Sequence, residues 1–139
     1  MSKKKVTGIG GIFFKSENPQ KMREWYAKNL GLVTNEYGSL FEFRTAESKE
    51  TAYLQWSPFT TDTNYFEPSQ KQWMVNYRVE NIEELVKDLK ENGVTICDEI
   101  EEYEYGKFVH ILDAEGNKLE LWEANDAYFT KTNEGKTTK

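Results

Sequence analysis

Apolar and polar positions alternate in short runs along most of the chain, and two stretches change to a helical spacing. Val6 to Lys15 reads Val-Thr-Gly-Ile-Gly-Gly-Ile-Phe-Phe-Lys, an apolar run punctuated by glycine, and predicts a strand. A helix follows. Asn18 can cap it, Pro19 suits the first helical position, and Met22, Trp25, Tyr26 and Leu30 recur every three or four residues as one apolar face. Gly31 suits the stop. Leu32 to Asn35, Leu40 to Thr45 and Thr51 to Ser57 predict three short strands, separated by Tyr37-Gly38-Ser39 and the polar run Ala46 to Glu50. Pro58 to Gln70 predicts a loop whose Tyr65 and Phe66 could lid a cavity or pack against the sheets or a dimer interface.

The pattern then repeats. Gln72 to Val79 predicts a strand, and Asn81 to Glu84 has the spacing of a capping box. Ile82, Leu85, Val86 and Leu89 form the apolar face of the helix that follows, and Gly93 stops it. Val94 to Asp98, Lys107 to Asp113 and Lys118 to Ala124 predict three more strands, and Asp126 to Lys139 reads as a polar, flexible tail. Strand, helix and three strands are thus written twice. Asn18 matches Asn81, Gly31 matches Gly93, and Tyr53-Leu-Gln-Trp56 matches Lys118-Leu-Glu-Leu121, at offsets of 62 to 65 residues. A period this long marks a duplicated half-domain, with modules at about residues 5–60 and 71–125. Neither half can bury its helix face alone, so both fold as one α+β domain.

Composition narrows the function. The chain has 139 residues, 18 Lys plus Arg and 24 Asp plus Glu, for a net charge of −6. No basic stripe offsets that charge, which argues against a nucleic-acid partner; only Met1 to Lys5 is locally basic, as a solvated terminus. No apolar run approaches the roughly 20 residues of a membrane span, and no signal peptide is expected. The single cysteine, Cys97, excludes an internal disulfide, reads as a packing residue, and fits a reducing, cytoplasmic compartment. The single histidine, His110, leaves no ligands for the usual Cys/His zinc site. Aromatics make up 14% of the chain, so a sizeable core is available. The acidic run Asp98, Glu99, Glu101, Glu102 and Glu104 reads as an edge strand blunted by charge.

The second half ends in Leu112-Asp-Ala-Glu-Gly-Asn117 followed by Leu119-Glu-Leu-Trp122. This resembles the signature of the vicinal-oxygen-chelate superfamily, which includes glyoxalase I, extradiol dioxygenases, fosfomycin-resistance proteins and bleomycin-binding proteins. Val6-Thr-Gly-Ile-Gly10, Trp25-Tyr-Ala-Lys-Asn-Leu-Gly-Leu32 and the duplicated order agree with it, over about residues 5–125. The resemblance implies two βαβββ modules whose mixed sheets curl around a shared cavity, often completed in a homodimer. It also implies a divalent metal held from four strands, at positions that fall here on Gly11, Gln55, Met74 and Glu120. Gly11 has no side chain and Met74 offers a soft thioether that hard cations disfavour. No cofactor is therefore expected; if a divalent metal binds, Gln55 and Glu120 are its donors.

Strand alternation identifies the residues that share a face with those positions. They are Gly11, Phe13 and Lys15; Tyr53 and Gln55; Met74, Asn76 and Arg78; His110 and Leu112; Glu120 and Trp122. Phe13, Tyr53, Met74 and Trp122 can form apolar walls, with Gln55, Asn76, Arg78, His110 and Glu120 as convergent polar groups. That mixture suits a small-molecule pocket, although a filled core with a satisfied polar network gives the same pattern. His110 and Glu120 are the candidate acid–base pair; a histidine hydrogen-bonded without turnover is the plainer alternative. Glu120 is a former metal ligand, a partner for Arg78, or a lone base. Three functions remain open: a metal-independent small-molecule binder like the bleomycin-binding branch; a glyoxalase-type lyase or dioxygenase with a reorganised site; and an interaction module without a ligand.

Overall fold

The structure is a computed structural model that describes residues 5–139, so the basic terminus lies, apart from exposed Lys5, outside the described residues. The expected order appears twice. The first module comprises β1 (Val6–Ser16), α1 (Pro19–Leu30), β2 (Thr34–Asn35), β3 (Gly38–Arg44) and β4 (Thr51–Thr60). The second comprises β5 (Trp73–Val79), α2 (Ile82–Glu91), β6 (Glu101–Tyr103), β7 (Gly106–Leu112) and β8 (Lys118–Ala124), and α3 (Asp126–Thr132) follows it. The eight strands form one curled, unclosed sheet in the order β2-β3-β4-β1-β5-β8-β7-β6. β1 is parallel to β4, β5 is parallel to β8, and an antiparallel β1–β5 pair joins the modules.

The helices begin and end by different means. The Asn18 side chain accepts from the Lys21 N–H at 3.0 Å, and Gly31 closes α1 with a left-handed φ of 74°. The Asn81 side chain makes no capping bond. Asn81 is itself left-handed, at φ 50°, and the Ile82 N–H donates instead to Glu123 Oε1 on β8 at 2.9 Å. The two apolar faces also differ. Ile82, Leu85 and Val86 of α2 are buried against Val79, Val109, Ile111 and Leu121, the main core on the helix side of the sheet. No residue of α1 is buried, and Trp25 and Leu30 remain 53% and 61% exposed; Tyr26 alone of its aromatics reaches the sheet, at Trp56.

Several boundaries move. β4 continues through Pro58 to Thr60 because β1 still pairs with it there, Phe14 with Pro58 and Ser16 with Thr60, although β3 stops pairing at Trp56. Residues 94–98 are not a strand: one bridge, Ile96 to Ile111, and the bonds Cys97 N–H to His110 O (2.8 Å) and Leu112 N–H to Thr95 O (3.1 Å) hold them beside β7. The acidic edge strand is β6, exposed along its length. The expected flexible tail is instead α3 and a return to β3, where Thr138 O accepts from the Glu42 N–H and Thr138 N–H donates to Leu40 O, both at 2.9 Å.

The duplication has a further mark in two Tyr-Gly corners, Tyr37-Gly38 and Tyr105-Gly106. Each glycine opens an inner hairpin at φ 131° and 133°. A Cβ on Gly38 would strike the Trp56 carbonyl oxygen, and one on Gly106 would lie 2.5 Å from the Glu123 carbonyl oxygen. Both corners demand φ values that residues with a side chain rarely adopt. Gly38→Ala and Gly106→Ala are each expected to cost about 2 kcal/mol or more, read as a lower urea midpoint at unchanged slope.

Candidate functional site

Register places one row of side chains across the concave face. Gly11 of β1 is opposite Gln55 of β4 and Asn76 of β5, Asn76 is opposite Glu120 of β8, and Glu120 is opposite His110 of β7. Alternation carries Phe13, Met74, Arg78, Phe108 and Trp122 to the same side, while Val75, Tyr77, Val109 and Leu121 face the helices. At the row's centre Glu120 is only 3% exposed. A buried carboxylate needs donors, and this one has three. Asn76 Nδ2 donates to Oε1 at 2.6 Å, His110 Nε2 lies 2.8 Å from Oε2, and the Tyr65 hydroxyl donates to Oε2.

The chain of contacts continues outward. His110 Nδ1 lies 2.6 Å from Asp98 Oδ2, and the His110 backbone N–H donates to Asp98 Oδ1 at 2.8 Å. Each ring nitrogen thus faces a carboxylate, and an imidazolium can donate to both at once. Burial pulls the His110 pKa down, but the hydrogen bonds and charges of Glu120 and Asp98 outweigh it and hold the pKa above its ordinary value. Burial first, and then the Glu120 charge and hydrogen bond, push the Tyr65 phenol far up, so it stays protonated. Because the two nitrogens point apart, Asp98 and Glu120 cannot meet His110 at one ion. Among the described residues no group of three or more His, Cys, Asp or Glu is placed to hold a metal.

A cavity of about 580 Å³ opens above the row, within the range of small-molecule sites. Phe13, Gln55, Asn76, Glu120 and Trp122 line it, as the alternation predicts. Tyr53, Met74, Arg78 and His110 stand behind the lining. Tyr53 lies under α3, its hydroxyl 2.8 Å from Thr130 Oγ1. Met74 is enclosed by Phe13 and Phe66. Arg78 pairs with Asp126 of α3 and donates to Tyr53 O at 3.0 Å, so it is not the partner of Glu120. His110 sits behind Glu120.

Other walls escaped the sequence reading. Tyr128, Phe129, Thr132 and Asn133 line the cavity from a segment expected to be flexible. Phe129 packs on Tyr53, Tyr105 and Trp122. Phe108 stacks on Trp122 at 5.7 Å and shares the parity of His110, which was the signal that could have found it. Tyr65 stacks on Phe59 at 5.6 Å, so the loop supplies both a wall and a donor to Glu120, whereas Phe66 is buried beside Met74.

The sequence matches the Glyoxalase/Bleomycin resistance protein/Dioxygenase superfamily over residues 9–121, and the chain belongs to that family. Solved structures agree in fold. A methylmalonyl-CoA epimerase from Mycobacterium tuberculosis superimposes with a TM-score of 0.62 at 17% identity, covering 94% of this chain and 96% of that one. A Streptomyces coelicolor methylmalonyl-CoA epimerase in complex with 2-nitronate-propionyl-CoA gives 0.62 at 12% identity, covering 86% and 99%. A Legionella pneumophila structure described as an NAD-dependent benzaldehyde dehydrogenase gives 0.51 at 14%, covering 81% and 96%. No curated protein is significantly similar to the chain. At these identities the shared property is the fold, and one fold hosts unrelated chemistries.

The raised His110 pKa has a thermodynamic sign. Folding takes up a proton here, so the stabilisation is complete below the ordinary value of 6.5 and is lost as pH rises through the higher folded value. The melting-temperature difference between the unmodified protein and His110→Gln is therefore expected to be largest near pH 6 and to shrink above neutrality. Calorimetry across that range checks it.

Proposed function

We propose that this protein is a small-molecule-binding member of its superfamily whose cavity works without the divalent metal that the resemblance implies. One observation carries the reading: the four positions to which the resemblance assigns metal ligands offer one carboxylate, one neutral amide and one thioether, and the fourth has no side chain. The Phe13 ring covers Gly11, so closely that a Cβ there would lie 2.7 Å from Phe13 Cζ. The Met74 thioether is fully buried among aromatic rings. Gln55 spends its Nε2 on Ser57 Oγ at 3.1 Å. Glu120 already accepts from Asn76, Tyr65 and His110. A thioether, an amide and a single carboxylate do not fit a hard divalent cation. What remains above them is a cavity with apolar walls and a few polar groups at its floor, the arrangement of a ligand pocket.

A second reading has its own support. The Asp98–His110–Glu120–Tyr65 chain is a proton relay in geometry, and Glu120 reaches the cavity. In a member of the same fold as the epimerases, such a carboxylate could take a proton beside a substrate carbonyl, with His110 and Tyr65 positioned to stabilise the change in charge. The walls of Trp122 and Phe129 would then enclose a substrate. Turnover lost in Glu120→Gln with ligand affinity retained would favour this enzyme over a binder.

The uncovered residues of α1, Trp25 and Leu30, and exposed Val33 after it support the homodimer that the resemblance implies. Light scattering should return twice the chain mass, and Trp25→Ser with Leu30→Ser should return one.

The metal test is direct. Titration calorimetry with Zn²⁺, Mn²⁺ or Ni²⁺ should show no stoichiometric binding, and a chelator should leave the melting temperature and any ligand affinity unchanged. One metal per chain, lost in Glu120→Ala, would overturn the proposal.

A further inference from the structure

Resting on the binding reading above, we infer the ligand's chemical class: a flat apolar body bearing a protonated amine, whose nitrogen is met by Glu120. Three features of the cavity converge on this class.

The first is charge. Glu120 supplies the only formal charge on the lining; no Lys or Arg lines the cavity among the described residues. The two cations that stand against rings of the lining are already committed. Arg78 lies 5.3 Å from the Trp122 ring with its charge offset by Asp126, and Lys118 Nζ donates to Tyr65 O at 2.7 Å. Behind Glu120 stand one imidazole and one further carboxylate, Asp98. With the imidazole protonated, the cluster of three still carries a net negative charge. An anion entering this space would meet that charge with no counter-ion, and like charges brought together are rejected.

The second is the count of lone pairs. A carboxylate has about four acceptor sites on its two oxygens. Tyr65 and His110 take two on Oε2, and Asn76 takes one on Oε1. One site on Oε1 remains, on a residue that lines the cavity.

The third is the polarity of the neighbours. Gln55 Nε2 is tied to Ser57 Oγ, and the Ser57 hydroxyl donates to Tyr37 O at 2.6 Å. Asn76 Nδ2 is tied to Glu120, which fixes the amide orientation and leaves Asn76 Oδ1 as a buried acceptor with no partner. The donors at the floor are spent inside the protein and Asn76 Oδ1 is packed against Gly10, so the open site on Glu120 Oε1 is the polar group left there for a ligand. An N–H-bearing head complements such a floor, and a carboxylate or phosphate does not. The rings of Phe13, Phe108, Trp122 and Phe129 supply apolar walls for the body.

A matched set of probes tests this: 2-naphthylmethylammonium, 2-naphthylmethanol and 2-naphthoate, titrated into the 139-residue chain. Affinity is read by calorimetry, and location by the NMR shift of the Trp122 indole N–H. The ammonium should bind at least about ten-fold more tightly than the alcohol, and the carboxylate more weakly than both. In Glu120→Gln the ammonium advantage should vanish while the alcohol keeps its affinity, a split that general loosening of the cavity would not produce. Equal affinities, or a preference for the carboxylate, would overturn the charge inference and leave the binding reading standing. If none of the three moved the Trp122 signal, both would fall. Should Glu120→Gln not fold, the order of the three probes in the unmodified protein, and its compression by salt, still decides the matter.

Discussion

Glu120 is the constraint around which the concave side of the molecule is arranged. A carboxylate at 3% exposure carries a large desolvation cost unless it is fully paired, and its donors come from three separate parts of the chain. Asn76 arrives from β5, His110 from β7, and Tyr65 from the long connection between the modules. To supply Tyr65, that connection must fold down over the sheet, which carries Phe66 into the cluster of Phe13 and Met74. To orient His110, Asp98 must lie beside β7, which accounts for the position of residues 94–98 although they form no regular strand. One buried charge thus fixes two irregular segments that have little secondary structure of their own.

The two modules share a plan and divide the labour. The equivalent corners Gly38 and Gly106 and the symmetric strand order keep the frame the same in both. The second module carries the well-buried helix, the main apolar core and the Asp98–His110–Glu120 chain. The first contributes Phe13 and Gln55 to the cavity but leaves α1 largely uncovered. Gly11 shows how one strand fills a gap of its own making. The missing side chain on β1 is not an empty place, because the Phe13 ring occupies it.

Much of the frame was legible because it follows local rules. Asn18, Pro19 and Gly31 bracket α1, and strand parity sorted Phe13, Gln55, Asn76, Glu120 and Trp122 onto one face that proves to be the cavity lining. Legibility ended where a residue's environment is set by distant parts of the chain. Asn81 has the spacing of a capping box, yet Glu123 across the sheet takes over that role. Asp126 looks like tail polarity until Arg78, 48 positions earlier, meets it. Tyr128 and Phe129 lie in a stretch too polar and too short to read as a packed helix, and they are half-buried through Trp122, Tyr53 and Tyr105 rather than through any periodicity. The pairing of Tyr65 with Glu120 spans 55 positions and leaves no sequence pattern at all.

The segment after β8 starts on the second module, where Asn125 donates to Glu104 O at 2.9 Å, and ends on the first, where Thr138 joins β3. It is the roof of the cavity and also carries contacts of very long sequence separation, tying Val33 to Thr138 across 105 positions and Leu40 to the same residue. Closing so large a loop costs entropy that only an already formed sheet can offset, which sets an order of assembly. A growing chain that had reached β8 would hold both modules and the Glu120 row, yet its cavity would be an open trough. The cavity as an enclosed space is therefore expected to form last, and it depends on a segment that both modules hold, through Arg78 to Asp126 and Tyr53 to Thr130.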